Sequence, residues 1–158
     1  MNASEHREDE ADRGASQPPG AETGTVFSCP MPLRWSDEDR NGHVNNARVV
    51  TLFEEARLQA SAVWLRGADF GPRLVRSLTV DYLHPLHYGP VTTAKVWVTR
   101  IGTTSFVLHH EIHQAGRACA VGRTVMVNVD EQTSRPTPID ATLRDALSTA
   151  LIPDEQTP

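Results

Sequence analysis

Residues 37–46, DEDRNGHVNN, bring acidic, amide and histidine side chains together in one short run of the chain. The first six residues read D-x-D-x-N-G, which is the opening of a calcium-binding EF-hand loop. An EF-hand loop also needs a bidentate Glu at its twelfth position and a helix before it. Counted from Asp37, the twelfth position is Arg48, and the preceding segment is CPMPLRW. A cation cannot ligate calcium, so we predict that the calcium pattern is accidental.

The same run has the composition of a site for acyl hydrolysis. Asn41 and Gly42 favour a tight turn, because glycine accepts positive φ without strain and asparagine tolerates it better than most residues. Asn45 or Asn46 then lies where a helix N-cap is needed. Such a turn holds Asp39 beside the unpaired N–H groups of a helix N-terminus, which can stabilise a developing oxyanion. The alternative is that these side chains only cap the turn and the helix.

Two other patterns suggest different chemistry. On a strand, the segment HHEIH would point His109, Glu111 and His113 to one face and His110 to the other. Surface histidines beside a polar hairpin are commoner than metal ligands in such a pattern, and we predict no zinc site. A G-x-S-x-G nucleophile motif is absent from the sequence, which excludes a serine hydrolase of that kind.

A long amphipathic helix is predicted directly after the polar run. From Ala47 onward, apolar side chains recur with the i, i+3, i+4, i+7 spacing of one helix face. The residues of this face are Val49, Leu52, Phe53, Ala56, Ala60, Val63 and Trp64. Gly67 is expected to end the helix.

Strand-like segments make up most of the remaining chain. The segment TVFSCPMPLRW precedes the polar run, and its prolines, Pro30 and Pro32, favour an edge strand or an irregular one. Four β-rich segments follow the helix: RLVRSLTVDYLH, VTTAKVWVTRI, SFVLHHEIHQ and RACAVGRTVMVNVD. Turn signals separate them, and short hairpins are expected to join the last three. A final segment with Thr137 and Pro138 at its cap and first turn predicts a short C-terminal helix.

The order of these elements predicts the fold class and the domain limits. Consecutive strands without crossover helices favour an antiparallel sheet, so we predict an α+β fold with the long helix packed on that sheet. One domain over residues 25–152 is expected, since a chain of 158 residues can bury a sufficient core. Residues 1–24 are acidic and poor in aliphatic side chains, which predicts a disordered tail. Residues 153–158 are expected to form a short flexible tail.

Composition limits the class of protein. Hydrophobic residues make up 39% and charged residues 22%, which is ordinary for a soluble globular domain. The net charge of -5 arises mostly in the N-terminal tail, and no basic surface for nucleic acid is indicated. No apolar run is long enough to span a bilayer, and no secretory signal is recognisable. Cys29 and Cys119 are too few for a disulfide framework and favour reduced, buried thiols in a cytoplasm.

The motif RWSDEDRNGHVNNARVVTLFEEAR, residues 34–57, resembles the signature of hot-dog fold thioesterases related to 4-hydroxybenzoyl-CoA thioesterase and bacterial acyl-CoA thioesterases. The family pattern is roughly R-W/Y-x-D-x-D-x-x-G-H-V-N-N followed by F-E-E-A-R, and the later run VDYLHPLHYG is consistent with it. The resemblance covers about residues 25–130. It implies a long central helix wrapped by a five-stranded antiparallel sheet, with paired subunits and active sites at their interface.

The resemblance also implies roles for residues of the motif. Asp39 matches the catalytic carboxylate, and the backbone N–H near Asn46 matches the donor that polarises the thioester carbonyl. Gly42, His43 and Asn45 match positions that shape the turn around the substrate.

Some residues leave alternatives open. Certain hot-dog thioesterases carry the catalytic carboxylate on the central helix, which makes Glu54 the rival of Asp39 as the base. Arg57 and Arg100 are candidates for bidentate contacts with the phosphates of coenzyme A, and Arg100, near a hairpin, is preferred. Val49 stands where many members have Tyr, which leaves the shape of the acyl pocket open.

Together these features predict a cytoplasmic acyl-CoA thioesterase that releases a carboxylate and free coenzyme A without a metal or cofactor. A homodimer or homotetramer is expected, with no membrane insertion. Asp39 would act either as a general base on water or as a nucleophile that forms a mixed anhydride. The alternatives are an acyl-carrier-protein thioesterase and a non-catalytic acyl-CoA binding module. A hot-dog hydratase is less favoured, because no separate dehydratase motif is present.

Overall fold

The computed structural model describes residues 24–67 and 71–154. Its elements are strand β1 (Phe27–Pro30), helix α1 (Asn46–Trp64), strands β2 (Arg73–Tyr82), β3 (Thr92–Ile101), β4 (Ser105–Gln114) and β5 (Arg117–Asn128), and helix α2 (Ala141–Ser148). A 3-10 turn, Trp35–Asp37, lies between β1 and α1. The predicted order of a strand, a long helix, four strands and a short helix is confirmed. Residues 1–23 and 155–158 of the predicted tails lie outside the described residues.

The five strands form one antiparallel sheet in the order β1-β3-β4-β5-β2. Short hairpins join β3 to β4 and β4 to β5, as the turn signals predict. Strand β1 is short and lies at one edge, where it pairs with β3. This position agrees with the expectation from its prolines, because proline has no N–H to donate to a ladder. Strand β2 forms the other edge and pairs with β5.

Helix α1 packs on the inner face of the sheet and forms the core with it. Its buried residues are Val49, Leu52, Phe53, Ala56 and Ala60. The Phe53 ring lies on Gly122 of β5, where a Cβ atom would be 2.7 Å from Phe53 Cε2. Glycine therefore allows the close approach of helix and sheet. The predicted apolar face is wrong at Val63, which is 60% exposed, and Leu65 is buried beyond it. A central helix wrapped by a five-stranded sheet is the expected hot-dog arrangement.

Strand β4 separates its histidines as the alternation predicts. His110 is fully buried, its Nε2 lies 2.9 Å from Thr124 Oγ1, and its ring centroid is 5.2 Å from that of Phe53. Burial, with smaller contributions from the charges of Arg57 and His109, lowers the pKa of His110 to about 3. His110 Nδ1 has no hydrogen-bond partner in the described part of the chain. The core therefore contains a neutral imidazole with one unsatisfied nitrogen.

The start of α2 differs from the prediction. The sequence places Thr137 and Pro138 at its cap and first turn, but the N-cap is Asp140, whose carboxylate accepts a hydrogen bond from the Leu143 N–H at 2.8 Å. The Thr137 N–H instead donates to Asn128 O at 2.9 Å, so this segment extends along the end of β5. Across residues 24–67 and 71–154, no helix is both long and apolar enough to cross a membrane.

Candidate functional site

The polar run folds into a small hairpin directly before α1, formed by residues 38–44. Glu38 and Val44 form an isolated antiparallel bridge. Inside this bridge, the Asp39 N–H donates to His43 O and the Gly42 N–H donates to Asp39 O, both at 3.0 Å. Gly42 has a φ of +80°, in the left-handed region that favours glycine. The tight turn predicted from the Asn-Gly pair is therefore confirmed.

The two aspartates of the D-x-D pair have different surroundings. Asp37 is buried, its Oδ2 accepts from the Arg34 N–H at 2.7 Å, and its Oδ1 lies 2.9 Å from Arg48 Nε. The contact with Arg48 is an ion pair whose angle does not suit a hydrogen bond. Asp39 is half-buried, and its carboxylate accepts from the Asn41 backbone N–H at 2.8 Å and from the Asn41 side chain at 3.4 Å. Asp37 thus anchors the loop to α1, whereas no cation of the described residues pairs with Asp39.

The N-terminus of α1 presents a backbone donor that no group of residues 24–67 and 71–154 accepts from. Asn45, one of the two residues predicted for this position, is the N-cap, and its Oδ1 accepts from the Ala47 N–H at 2.9 Å. The Arg48 N–H donates to Asn45 O at 2.8 Å. The Asn46 N–H, which precedes both, donates to no group of the residues that the structure describes. Because the first N–H groups of a helix carry partial positive charge, this donor is suited to bind an oxyanion.

A cavity of about 290 Å³ opens beside the Asn46 donor. Its apolar wall is formed by Val49, Leu83, Pro85, Leu86, Cys119 and Ala120. Polar groups enter it from His43, from Asn46 and from Tyr82 at the end of β2. The cavity therefore places an apolar surface next to the backbone N–H of Asn46.

The structure brings part of the predicted site together. His43 and Asn46 line the cavity, while Gly42 and Asn45 form the turn and the helix cap that support it. Asp39 belongs to the same hairpin, but it lies outside the cavity lining.

Glu54 and Arg100 lie away from this cavity. Glu54 is 56% exposed and is paired with Arg57 at 3.0 Å. Burial lowers the pKa of Arg57, and the negative charge of Glu54 opposes that shift. Arg100 lies near the opposite end of β3 and lines a second cavity together with Arg123. Arg100 lies roughly 26 Å along β3 from Thr92, the first residue of that strand, since each residue of a strand advances about 3.3 Å.

Sequence reasoning missed Tyr82, Leu86 and Cys119 as neighbours of the site. The Tyr82 hydroxyl donates to Asn46 O at 3.1 Å, a contact between residues 36 positions apart. Leu86 O accepts from the Val44 N–H at 2.8 Å. The run VDYLHPLHYG drew attention to this segment, but no local pattern specifies contacts over such a separation.

The histidines on the outer face of β4 form a local cluster. His113 Nε2 lies 2.6 Å from Glu111 Oε2, and His109 Nε2 lies 3.6 Å from Glu111 Oε1. The His109 ring stacks on Trp97 with centroids 4.2 Å apart. In the described ranges, no three His, Cys, Asp or Glu side chains are arranged to hold a metal ion.

Comparison with known proteins relates the chain to a family and to solved structures. Residues 33–147 match the family model of the thioesterase-like superfamily. The structure of a predicted thioesterase from Bacillus stearothermophilus is similar to this chain, with 32% identity and a TM-score of 0.76 over 82% of this chain and 99% of that one. No curated protein matches the chain at significant similarity.

Two further structures are similar at lower identity. A thioesterase from Thermus thermophilus, solved with coenzyme A and Zn, is 27% identical over 76% of this chain and 90% of that one, with a TM-score of 0.69. A DHNA-CoA thioesterase from Staphylococcus aureus is 23% identical over 76% of this chain and 85% of that one, with a TM-score of 0.67. At 23% identity, the similarity to the DHNA-CoA thioesterase concerns the fold alone.

Proposed function

The chain belongs to the thioesterase-like superfamily and is a thioester hydrolase, and on that premise we propose that it hydrolyses acyl-CoA thioesters at the cavity beside the N-terminus of α1. The observation that carries this proposal is the Asn46 N–H, which has no partner among the described residues and lies at the wall of an apolar cavity. The Thermus thermophilus thioesterase was solved with coenzyme A, which supports coenzyme A as the thiol part of the substrate.

In the proposed reaction, the acyl group occupies the cavity and the thioester carbonyl oxygen accepts a hydrogen bond from the Asn46 N–H. Asp39 takes a proton from a water molecule, and the water oxygen attacks the carbonyl carbon. The negative charge that develops on the carbonyl oxygen is stabilised by the Asn46 N–H and the positive end of α1. The C=O bond then re-forms as the C–S bond breaks, and the sulfur takes the proton that Asp39 accepted and leaves as the thiol of coenzyme A.

Asp39 suits the role of base better than Asp37. Asp37 is buried against Arg48 at 2.9 Å and holds the loop to the helix. Among the described residues only Asn41 donates to the Asp39 carboxylate, and the contact of its side chain is long at 3.4 Å, so Asp39 Oδ2 can turn toward a substrate. A nucleophilic attack by Asp39 would give the same products through a mixed anhydride and stays as the alternative route.

A thiol-release assay over a panel of acyl-CoA esters, aliphatic and aromatic, tests the proposal. We expect hydrolysis of at least one ester by the purified protein without added metal. The same acyl groups carried on an acyl carrier protein provide the control for the alternative substrate class. Tight binding of acyl-CoA with no thiol release from any ester would contradict the proposal and favour a binding module.

We also propose that two copies pair along β2, at the edge of the sheet that faces away from β5. Within the described residues β5 is the only strand that pairs with β2, and apolar side chains are exposed along it and just beyond. They are Leu74, Val75, Tyr82 and Leu83. A long apolar edge strand is suited to pair with another chain, and a second copy does so symmetrically. Because Tyr82 and Leu83 also line the cavity, the second copy would lie beside the site.

Light scattering tests the pairing. We expect the mass of a dimer or a dimer of dimers at micromolar concentration, and the substitution Val75→Lys should shift the protein toward the monomer. A monomeric wild type with full activity would contradict this part of the proposal.

Two smaller parts of the proposal concern coenzyme A and the compartment. Arg100 is retained as a candidate for the phosphates, because Arg123 lines the same cavity and guanidinium groups bind phosphate in a bidentate manner. Cys29 and Cys119 are free and buried, which fits a reducing cytoplasm.

A further inference from the structure

The loop between β2 and β3, residues 83–91, holds both sides of the 38–44 hairpin. On one side, Leu86 O accepts from the Val44 N–H at 2.8 Å. On the other side, the Tyr88 N–H donates to Glu38 Oε1 at 2.7 Å. The loop therefore spans the hairpin that contains Asp39.

His87 lies between these two contacts and reaches the tip of the hairpin. Its ring Nδ1 is 3.0 Å from Gly42 O. A carbonyl oxygen only accepts hydrogen bonds, so His87 Nδ1 must carry the proton in this contact. The His87 imidazole thus donates to the backbone of Gly42, the residue with positive φ in the turn of the hairpin.

Gln114, the last residue of β4, holds the backbone of His87. Its Oε1 accepts from the His87 N–H at 3.0 Å, and its Nε2 donates to His87 O at 2.8 Å and to Thr92 Oγ1 at 2.9 Å. Gln114 is only 5% exposed, and His87 is 27 positions away in the sequence. A buried side chain with these partners is rigid, because each of its polar atoms is satisfied.

We infer that Gln114 and His87 are positioning residues, which fix the 38–44 hairpin so that Asp39 stands at a set distance from the Asn46 N–H. This inference rests on the proposed function, since it assigns Asp39 and Asn46 to one reaction. Gln114 acts on the backbone of His87, and the His87 ring acts on Gly42 O. Neither side chain lines the cavity beside Asn46.

The need for such positioning follows from the surroundings of Asp39. No cation of the described chain pairs with Asp39, and its hydrogen-bond donors come from Asn41 in the same hairpin. Its place relative to α1 is therefore set by how the hairpin as a whole is held. A displacement of about 1 Å in such a group can reduce a rate by about 10²-fold.

Substitutions at His87 test the inference with limited risk to folding, because this residue is exposed. His87→Leu removes the donor, whereas His87→Asn keeps an N–H donor near the position of Nδ1. We expect His87→Leu to lower kcat by about 10-fold with KM within about twofold, and His87→Asn to restore kcat to within about threefold of the wild type. Gln114→Glu keeps the acceptor for the His87 N–H but loses both donors, and should lower kcat in the same way. His113→Leu is the matched control, because His113 lies on the face of β4 opposite to Gln114. It should leave kcat unchanged.

Amide hydrogen exchange gives a second readout that needs no substrate. We expect the Val44 and Tyr88 amides to exchange about 10-fold faster in His87→Leu than in the wild type, and at nearly wild-type rates in His87→Asn. Equal kcat for His87→Leu and the wild type, or no rescue by His87→Asn, would overturn the inference. If the wild type cleaved no thioester, the proposed function would fail, while unchanged exchange rates in His87→Leu would separately refute the positioning of the hairpin.

Discussion

Helix α1 meets the rest of the molecule in two different ways along its length. At its middle, Phe53 packs on Gly122 and His110, and all three are buried. At its N-terminus, Asn45 and Asn46 are exposed, and the helix faces an open cavity. Both regions contain a polar group without a hydrogen-bond partner among the described residues: His110 Nδ1 in the core and the Asn46 N–H at the cavity.

The difference between these regions is the access of solvent and ligand. In the core no ligand can reach His110. Burial disfavours the charged imidazolium and lowers the pKa of His110 to about 3. At the cavity the Asn46 N–H is open to a ligand, and we propose that it binds the carbonyl oxygen of the substrate. Removing a buried side chain at the middle of α1 should therefore change stability, and removing the backbone donor at its N-terminus should change turnover.

The largest effect on stability is expected from Phe53→Ala. Removing a fully buried ring leaves a cavity over Gly122, and such changes cost about 3–5 kcal/mol of unfolding free energy. Urea denaturation measures this change. Leu58→Ala on the same helix is the control, because Leu58 is 62% exposed and should change stability by no more than about 0.5 kcal/mol. Equal losses in the two variants would remove the distinction between the regions.

The next effect concerns turnover and comes from Asp39→Asn. The amide keeps the shape of the side chain and can accept from Asn41, but it cannot take a proton from water. We expect kcat to fall by about 10²-fold or more, while stability changes by no more than about 1–2 kcal/mol. Steady-state kinetics and urea denaturation measure the two quantities.

Glu54→Gln is the matched control for Asp39→Asn, because Glu54 is the rival carboxylate on α1 and is paired with Arg57. We expect it to retain kcat to within about threefold. If Glu54→Gln abolished turnover and Asp39→Asn did not, the helix would supply the base and the 38–44 hairpin would be only a structural turn.

The pH dependence of stability should sharpen the comparison at the core. The pKa of His110 is about 3 in the folded protein and about 6.5 in the unfolded chain, so the unfolded state takes up the proton first as pH falls. The contribution of His110 to the free energy of unfolding is fully present above about pH 6.5. It declines by roughly 1.4 kcal/mol per pH unit down to about pH 3. His110→Gln keeps a hydrogen bond to Thr124 but does not titrate. Between pH 7 and pH 5, the free energy of unfolding of His110→Gln should fall by about 2 kcal/mol less than that of the wild type, as measured by urea denaturation. Equal decreases in the two proteins would contradict this role of His110.

Sequence patterns predicted the elements well, because period and turn chemistry are local. The 3.6-residue period located α1, and the Asn-Gly pair located the turn that Gly42 closes. The start of α2 was placed too early, because Thr137 has the composition of a cap but binds Asn128 instead. Which residue becomes the N-cap of α2 depends on where β5 ends, and composition does not specify that point. In the structure the N-cap is Asp140.

The candidate site was predicted only where it is contiguous in sequence. The motif indicated Asp39, His43 and Asn46 because a single turn and helix end bring them together. The Tyr82 hydroxyl reaches Asn46 O from the edge of the sheet, and Gln114 reaches His87 from the end of β4. These contacts depend on strand register, which no single segment of the sequence determines.

The most direct test of the account is a measurement of kcat for Asn46→Pro. Proline has no N–H and is favoured at the first position of a helix, and the Asn45 φ of -60° and ψ of 138° suit a residue before proline. Asn46→Ala is the matched control, because it removes the side chain and keeps the backbone donor. We predict that Asn46→Pro lowers kcat by about 10²-fold to 10³-fold, while Asn46→Ala stays within about threefold of the wild type. Equal kcat in the two variants, with both proteins folded, would contradict the claim that the N-terminus of α1 stabilises the oxyanion.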